Sequence, residues 1–115
     1  MKKFIEKRAW GGFERFTLNE NSTVKILTIK PGKEFSLQYH EKRIEFWQFL
    51  DNPAIVTIGN RKIKAKKGTE LYISKKTLHR IKAINKPVKV LEISFGKFSE
   101  NDIVRIEDDY GRVKL

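Results

Sequence analysis

The chain has 115 residues and no cysteine, with 25 Lys and Arg against 14 Asp and Glu and a formal net charge of +11. That length suits one domain, residues 1–115, with a core that needs no staples, and it leaves neither a disulfide framework nor a thiolate metal site. No stretch approaches the roughly 20 apolar residues of a membrane span, so the expectation is a soluble cytoplasmic protein with no membrane partner.

The expected elements are strands. Alternation with period two dominates, and no long stretch carries a 3.6-residue period. KKFIEK near the start is a candidate strand for covering a sheet edge. FERFTL (13–18) and TVKILTIK (23–30) are parted by the turn-prone NENS, and Pro31-Gly32 breaks the chain before EFSLQYH (34–40). IEFWQFL (44–50) and AIVTIG (54–59) flank the turn signal DNP. Gly59-Asn60 predicts a tight hairpin into RKIKAK. TELYI (69–73), LHRIKA (78–83) and VKVLEISFG (88–96) complete about nine short strands, a count and spacing that predict an antiparallel sandwich or barrel. SENDI (99–103) predicts a short helical turn, with Ser99 as N-cap and Asp102 completing a capping box. The tail RIEDDYGRVKL is charged and carries no strong pattern.

The lysines alternate with apolar residues along the whole chain, as in VKILTIK, RKIKAKK and VKVLEI. That is the pattern of solvated strand faces rather than a basic stripe, so no nucleic-acid partner is expected. The diffuse positive field suits a small phosphate-bearing ligand.

Side chains two apart on a strand share a face. Gln38 and His40 therefore point the same way, as do Glu45 and Trp47 on the next strand, and His79 lies on a later one. If 34–40 pairs with 44–50 and 78–83 packs nearby, Gln38, His40, Glu45 and His79 converge. Two imidazoles, a carboxylate and an amide oxygen suit a divalent metal, with room left for water or substrate oxygens. Spacing alone leaves ordinary buried histidines as the alternative.

Residues 32–45 resemble the first cupin motif, G(x)5HxH(x)4E, with Gln38 in place of the first His. GTELYISKKTLH (68–79) resembles the second, G(x)5PxG(x)2H. Gly68 and His79 match it, while Ser74 and Lys76 stand where Pro and Gly are expected, and Asn52 replaces the glycine that ends the first motif. RAWGGFE, SLQYHEKRIEFW, His79-Arg80 and ENDIVRIEDDYGR together look like type II phosphomannose isomerases, in which Gln at the first ligand position is usual.

The resemblance implies an all-β cupin double-stranded β-helix, a jelly-roll barrel, ending in the short helical turn and tail. It implies interconversion of mannose 6-phosphate and fructose 6-phosphate through a cis-enediolate. The cofactor would be one divalent metal held by Gln38, His40, Glu45 and His79, with Zn first and Co, Mn, Ni or Fe as alternatives. Arg8, Arg105 and Arg112 match the arginines of the terminal motifs and are candidates for phosphate and hydroxyl contacts. Tyr110 sits in the same pattern and is a candidate for packing the tail over the barrel mouth, and Trp47 is a candidate sugar-stacking wall. Arg43 and Arg80 flank ligands but point to the opposite strand face under regular pairing, although the connection leaves Arg43 open. The general base is unassigned, with Lys76, Glu107, Asp108 and Asp109 as candidates.

Family members often carry an upstream nucleotidyltransferase domain. This chain has no glycine-rich phosphate loop, Gly11-Gly12 being too little, so the expectation is isomerase activity alone. The rival expectations are a nucleotide-sugar ketoisomerase or epimerase, a non-catalytic sugar-binding or regulatory cupin, and a purely structural β-barrel with no metal. Edge exposure and the habits of small cupins imply a homodimer.

Overall fold

In the computed structural model, which describes residues 3–113, the alternating segments form eleven strands. They are β1 (Phe4–Arg8), β2 (Gly11–Arg15), β3 (Ser22–Ile29), β4 (Leu37–Tyr39), β5 (Ile44–Phe49), β6 (Ala54–Ile58), β7 (Arg61–Ala65), β8 (Glu70–Ile73), β9 (His79–Ala83), β10 (Val88–Phe95) and β11 (Val104–Glu107). β1 and β2 form a hairpin of their own. The rest divide between a four-stranded sheet, β3-β10-β5-β8, and a five-stranded sheet, β11-β4-β9-β6-β7. Every pairing is antiparallel, giving an all-β jelly roll.

Alternation explains the core. β10 turns Val88 and Val90 inward, β6 turns in Ala54 and Val56, and β9 turns in Ile81 and Ala83. With Trp47 and Phe49 of β5 they fill the space between the sheets. Burying each large apolar side chain stabilises the fold by roughly 1.5–3 kcal/mol. The same inward register continues to Glu92 and Ser94 on β10, Glu45 on β5 and His79 on β9, all buried. The barrel therefore has an apolar body and a polar end. The expected hairpin at Gly59-Asn60 is present, joining Ile58 to Arg61 with Gly59 at φ +57°.

Four expectations change. β4 and β5 do not pair; they lie in opposite sheets, so the ligand candidates of residues 38–40 and Glu45 come from the two sides of the barrel. Residues 99–103 form a turn rather than a helix, with the Asp102 amide donating to the Ser99 carbonyl at 3.1 Å. The Asp102 carboxylate does not close a capping box; it accepts from the amides of Glu41 (2.9 Å) and Lys42 (3.1 Å). The tail is not patternless, because Val104–Glu107 adds a strand beside β4. Finally, β1 pairs with β2 and, among the described residues, covers no barrel edge. The hairpin is tied back by Lys3, whose ammonium reaches Glu70 at 2.7 Å, and the chain just beyond it by Phe16, whose ring lies 5.5 Å from that of Phe46.

Candidate metal centre

Three elements bring the site together. His79 opens β9, its Cα opposite Gln38 of β4 on one side and Ile58 of β6 on the other. Glu45 is the second residue of β5, opposite Ser94 of β10 and Ile73 of β8. His40 follows the last residue of β4, where the chain leaves the sheet. Glu45 Oε1 lies 3.4 Å from His40 Nε2 and 3.5 Å from His79 Nε2. The imidazole rings are 4.9 Å apart, and all three residues are buried.

Both rings are oriented by backbone carbonyls. His40 Nδ1 is 2.6 Å from the Asp102 oxygen, and His79 Nδ1 is 2.9 Å from the Thr77 oxygen. A carbonyl only accepts, so each Nδ1 carries the proton and each Nε2 presents a lone pair inward. This is how metal-binding histidines are fixed. Glu45 Oε1 and His79 Nε2 are buried without a hydrogen-bond partner. Such orphans are costly unless a bound group satisfies them. A divalent cation at the convergence of the three groups would do so, and their ligand atoms all lie within 4.8 Å of one another. The residues therefore fit a metal.

Arg43 enters this cluster, contrary to the regular-pairing expectation. It is buried, with Nε 3.3 Å from Glu45 Oε2, Nη1 3.0 Å from the Ser99 carbonyl and Nη2 3.2 Å from His40 Nε2. His40 Nε2 has one lone pair, so a metal there would displace the Arg43 bond. Ser94 Oγ donates to Glu45 Oε2 at 3.0 Å. Burial pushes the Glu45 carboxyl upward, but its surroundings, with the permanently charged Arg43 beside it, bring it below the ordinary carboxylate range, so it stays ionised. Burial lowers His79 to about 4, keeping it neutral and able to ligate.

Above the cluster is a cavity of about 220 Å³, lined in part by Gln38, His40, Arg43, Glu45 and Arg105. It shares Glu100, Ile103, Arg105 and Arg112 with an outer hollow of about 530 Å³. Gln38 faces this space with its amide oxygen accepting from Ser36 Oγ at 3.3 Å. Arg105 Nε is buried and unpartnered. Arg112 also lines the cavity, its guanidinium held by Asp108 at 2.7 Å.

Other candidates lie elsewhere. Trp47 is fully buried, edge-on to His79 with centroids 5.4 Å apart; it is core beneath the site rather than an open wall. Arg8 sits on the hairpin beside Glu6. Tyr110 donates to the Glu34 carbonyl at 3.1 Å on the outside of the barrel. Arg80 pairs outside with Glu34 (3.2 Å) and Glu107 (3.1 Å), which removes Glu107 from the cavity. Asp109 and Lys76 are exposed. Lys76 takes φ +60°, which explains the glycine usual at that motif position, and its amide donates to the His40 carbonyl at 2.7 Å.

The cavity also contains a residue that pattern reading did not single out. Glu92 lines it, buried on β10, and its Oε2 accepts from Trp47 Nε1 at 3.0 Å. The signal was present in the alternation of Val88, Val90, Glu92 and Ser94, which puts a carboxylate in the buried register.

A jelly roll that gathers two histidines and a glutamate at one polar end is a cupin. In agreement, the fold superposes on oxalate decarboxylase from Bacillus subtilis (TM-score 0.69, 26% identity, 76% of this chain and 24% of that one). It likewise matches a cupin 2 domain-containing protein from Halorhodospira halophila (TM-score 0.64, 21% identity, 69% and 55%). The chain belongs to the family described as Mannose-6-phosphate isomerase C-terminal, whose model matches residues 2–108. It is similar to the xanthan biosynthesis protein XanB of Xanthomonas campestris pv. campestris, at 36% identity over 91% of this chain and 23% of that protein. It is also similar to the alginate biosynthesis protein AlgA of Pseudomonas aeruginosa, at 34% identity over 91% and 22%. The mannose-1-phosphate guanylyltransferase ManC of Salmonella typhimurium matches at 34% identity over 92% and 22%. The chain thus spans less than a quarter of these relatives.

Proposed function

We propose that the chain is a metal-dependent aldose–ketose isomerase that interconverts mannose 6-phosphate and fructose 6-phosphate in the cytoplasm. The observation that carries this reading is the pair of orphaned buried atoms, Glu45 Oε1 and His79 Nε2, beneath a cavity that also contains the unpartnered Arg105 Nε. One group calls for a cation and the other for an anion, and a sugar phosphate bound over a divalent metal satisfies both. The family description and the carbohydrate-linked names of the relatives support the substrate class.

His40, Glu45 and His79, joined by Gln38, would hold the metal, with Zn first and Co, Mn, Ni or Fe as alternatives. When bound, the ion supplies Lewis acidity at the sugar carbonyl. Arg105 and Arg112 take the phosphate at the cavity mouth and so fix which end of the sugar reaches the cluster. Arg43 keeps positive charge beside Glu45, where negative charge develops on the sugar oxygens. Asp102, through His40 and the 41–42 amides, holds the loop that carries Arg43.

The assay is direct. Chelator-stripped protein reloaded with each metal should convert mannose 6-phosphate to fructose 6-phosphate, and no conversion with any of them refutes the reading.

The proposed assembly is a homodimer. The hairpin exposes Ile5 and Trp10, and the edge strand β3 exposes Val24 and Ile26, an apolar surface suited to a second copy. Sedimentation equilibrium at a single-chain mass would exclude it.

A further inference from the structure

We propose that Glu92 is the catalytic residue that carries the proton between C2 and C1 of the sugar. This rests on the isomerase reading above. The candidates suggested by sequence, Lys76, Glu107, Asp108 and Asp109, are all absent from the lining of the cavity, Asp108 being paired with Arg112, whereas Glu92 lies within it. It comes from the strand next to that of Glu45 and is not part of the ligand cluster, so a metal leaves it free.

Its only hydrogen bond among the described residues is from the Trp47 indole, a neutral donor. A glutamine oxygen would serve that donor equally well without placing an ionisable group in a barrel. Burial, then the charge of Glu45, raises the Glu92 carboxyl to about 7 against the smaller lowering effects of Trp47, Lys25 and Arg43. Lys25 is its Cα neighbour on β3, and the ammonium is shared with Glu100 at 3.0 Å. His40 faces it from the end of β4, Arg105 from β11 and Arg112 from the tail. A carboxyl near neutrality, between donors and a charged cluster, can both take and return a proton at working pH.

The step balances without a co-reactant. In the open-chain aldose, the Glu92 carboxylate takes the C2 proton. The C2–H pair becomes the C1=C2 bond, and the π pair of C1=O moves to O1. The O2–H proton then passes to O1, its bonding pair forms C2=O2, and the C1=C2 pair takes the proton from Glu92 at C1. Glu92 is again a carboxylate, and the aldose has become the ketose.

The test uses the metal-loaded wild type with Glu92→Gln and Glu92→Asp. Glu92→Gln preserves the Trp47 acceptor, so its metal content and its KM for mannose 6-phosphate should match wild type while kcat falls by about 10²–10⁴-fold. Glu92→Asp should restore part of the rate. The wild-type acid limb in kcat/KM should be absent from the residual Glu92→Gln activity. Wild-type turnover with an undiminished Glu92→Gln rate, or with an acid limb kept in the Glu92→Gln profile, overturns the role of Glu92 and leaves the isomerase reading standing. A wild type that turns over no mannose 6-phosphate overturns both.

Discussion

His40 and Asp102, 62 residues apart, are joined by a 2.6 Å hydrogen bond from the imidazole Nδ1 to the Asp102 carbonyl. The Asp102 carboxylate simultaneously caps the amides of Glu41 and Lys42. The turn at Ser99–Asp102 thus sets both the tautomer of His40, a candidate ligand, and the course of the loop that delivers Arg43. Asp102→Ala keeps the carbonyl but frees the loop. We expect it to cost about 1 kcal/mol of stability and about tenfold in metal affinity, since outer partners of ligands act on that scale. Chemical denaturation and a competitive metal titration read the two effects. An unchanged affinity would mean that the loop needs no clamp.

Arg105 is the clearest phosphate candidate, because its Nε is buried without a partner. Removing a charge-assisted contact to a dianion should raise KM for the sugar phosphate by about 10–100-fold with a smaller change in kcat. Steady-state kinetics of Arg105→Ala would show it, and Arg105→Lys should recover part of the loss. Equal KM values in variant and wild type would place the phosphate elsewhere.

The pH dependence of metal-free stability has two opposing parts. His79 titrates at about 4 in the fold against 6.5 for a free histidine, so its contribution is full above 6.5 and is lost as pH falls towards 4. Glu92 titrates at about 7 in the fold against 4.5 for a free glutamate, so its contribution is full below 4.5 and is lost as pH rises towards 7. Each contribution is roughly 3 kcal/mol, so the wild-type profile should be nearly flat between the two. Glu92→Gln should unmask a fall in urea midpoint on acidification, and His79→Asn a rise. Parallel profiles for all three proteins would contradict this balance.

Lys76 occupies the left-handed region at φ +60°, and the side chain is exposed. Lys76→Gly should relieve that strain and raise stability by up to about 1 kcal/mol, less the entropy glycine adds to the unfolded chain. Turnover should be unchanged. A large loss of kcat would return Lys76 to the catalytic candidates.

Much of the site was legible because its spacings are rigid. Gly32, Gln38, His40 and Glu45 follow one motif and Gly68 with His79 another, and two-residue alternation placed the candidate ligands on inner faces. What spacing does not encode is which strands pair. Glu41, Lys42 and Arg43 are as compatible with a hairpin as with the crossover between sheets that the structure contains. The S-x-x-D pattern at Ser99–Asp102 fits a helix start, yet the carboxylate finds better donors in the amides of a distant loop. Val104–Glu107 is short and charged, and pairing with β4 makes it a strand. Arg43 was hidden by its place in a connection, and Glu92 by the frequency of charged residues on half-exposed strands.

The most direct test of the metal centre is the metal content of untagged protein, stripped by chelator and reloaded, measured by plasma mass spectrometry beside His79→Ala. We expect one equivalent per chain in the wild type and nearly none in the variant. Well under one equivalent with each of Zn, Co, Mn, Ni and Fe, or full loading of His79→Ala, would show that His40, Glu45 and His79 do not form a metal site.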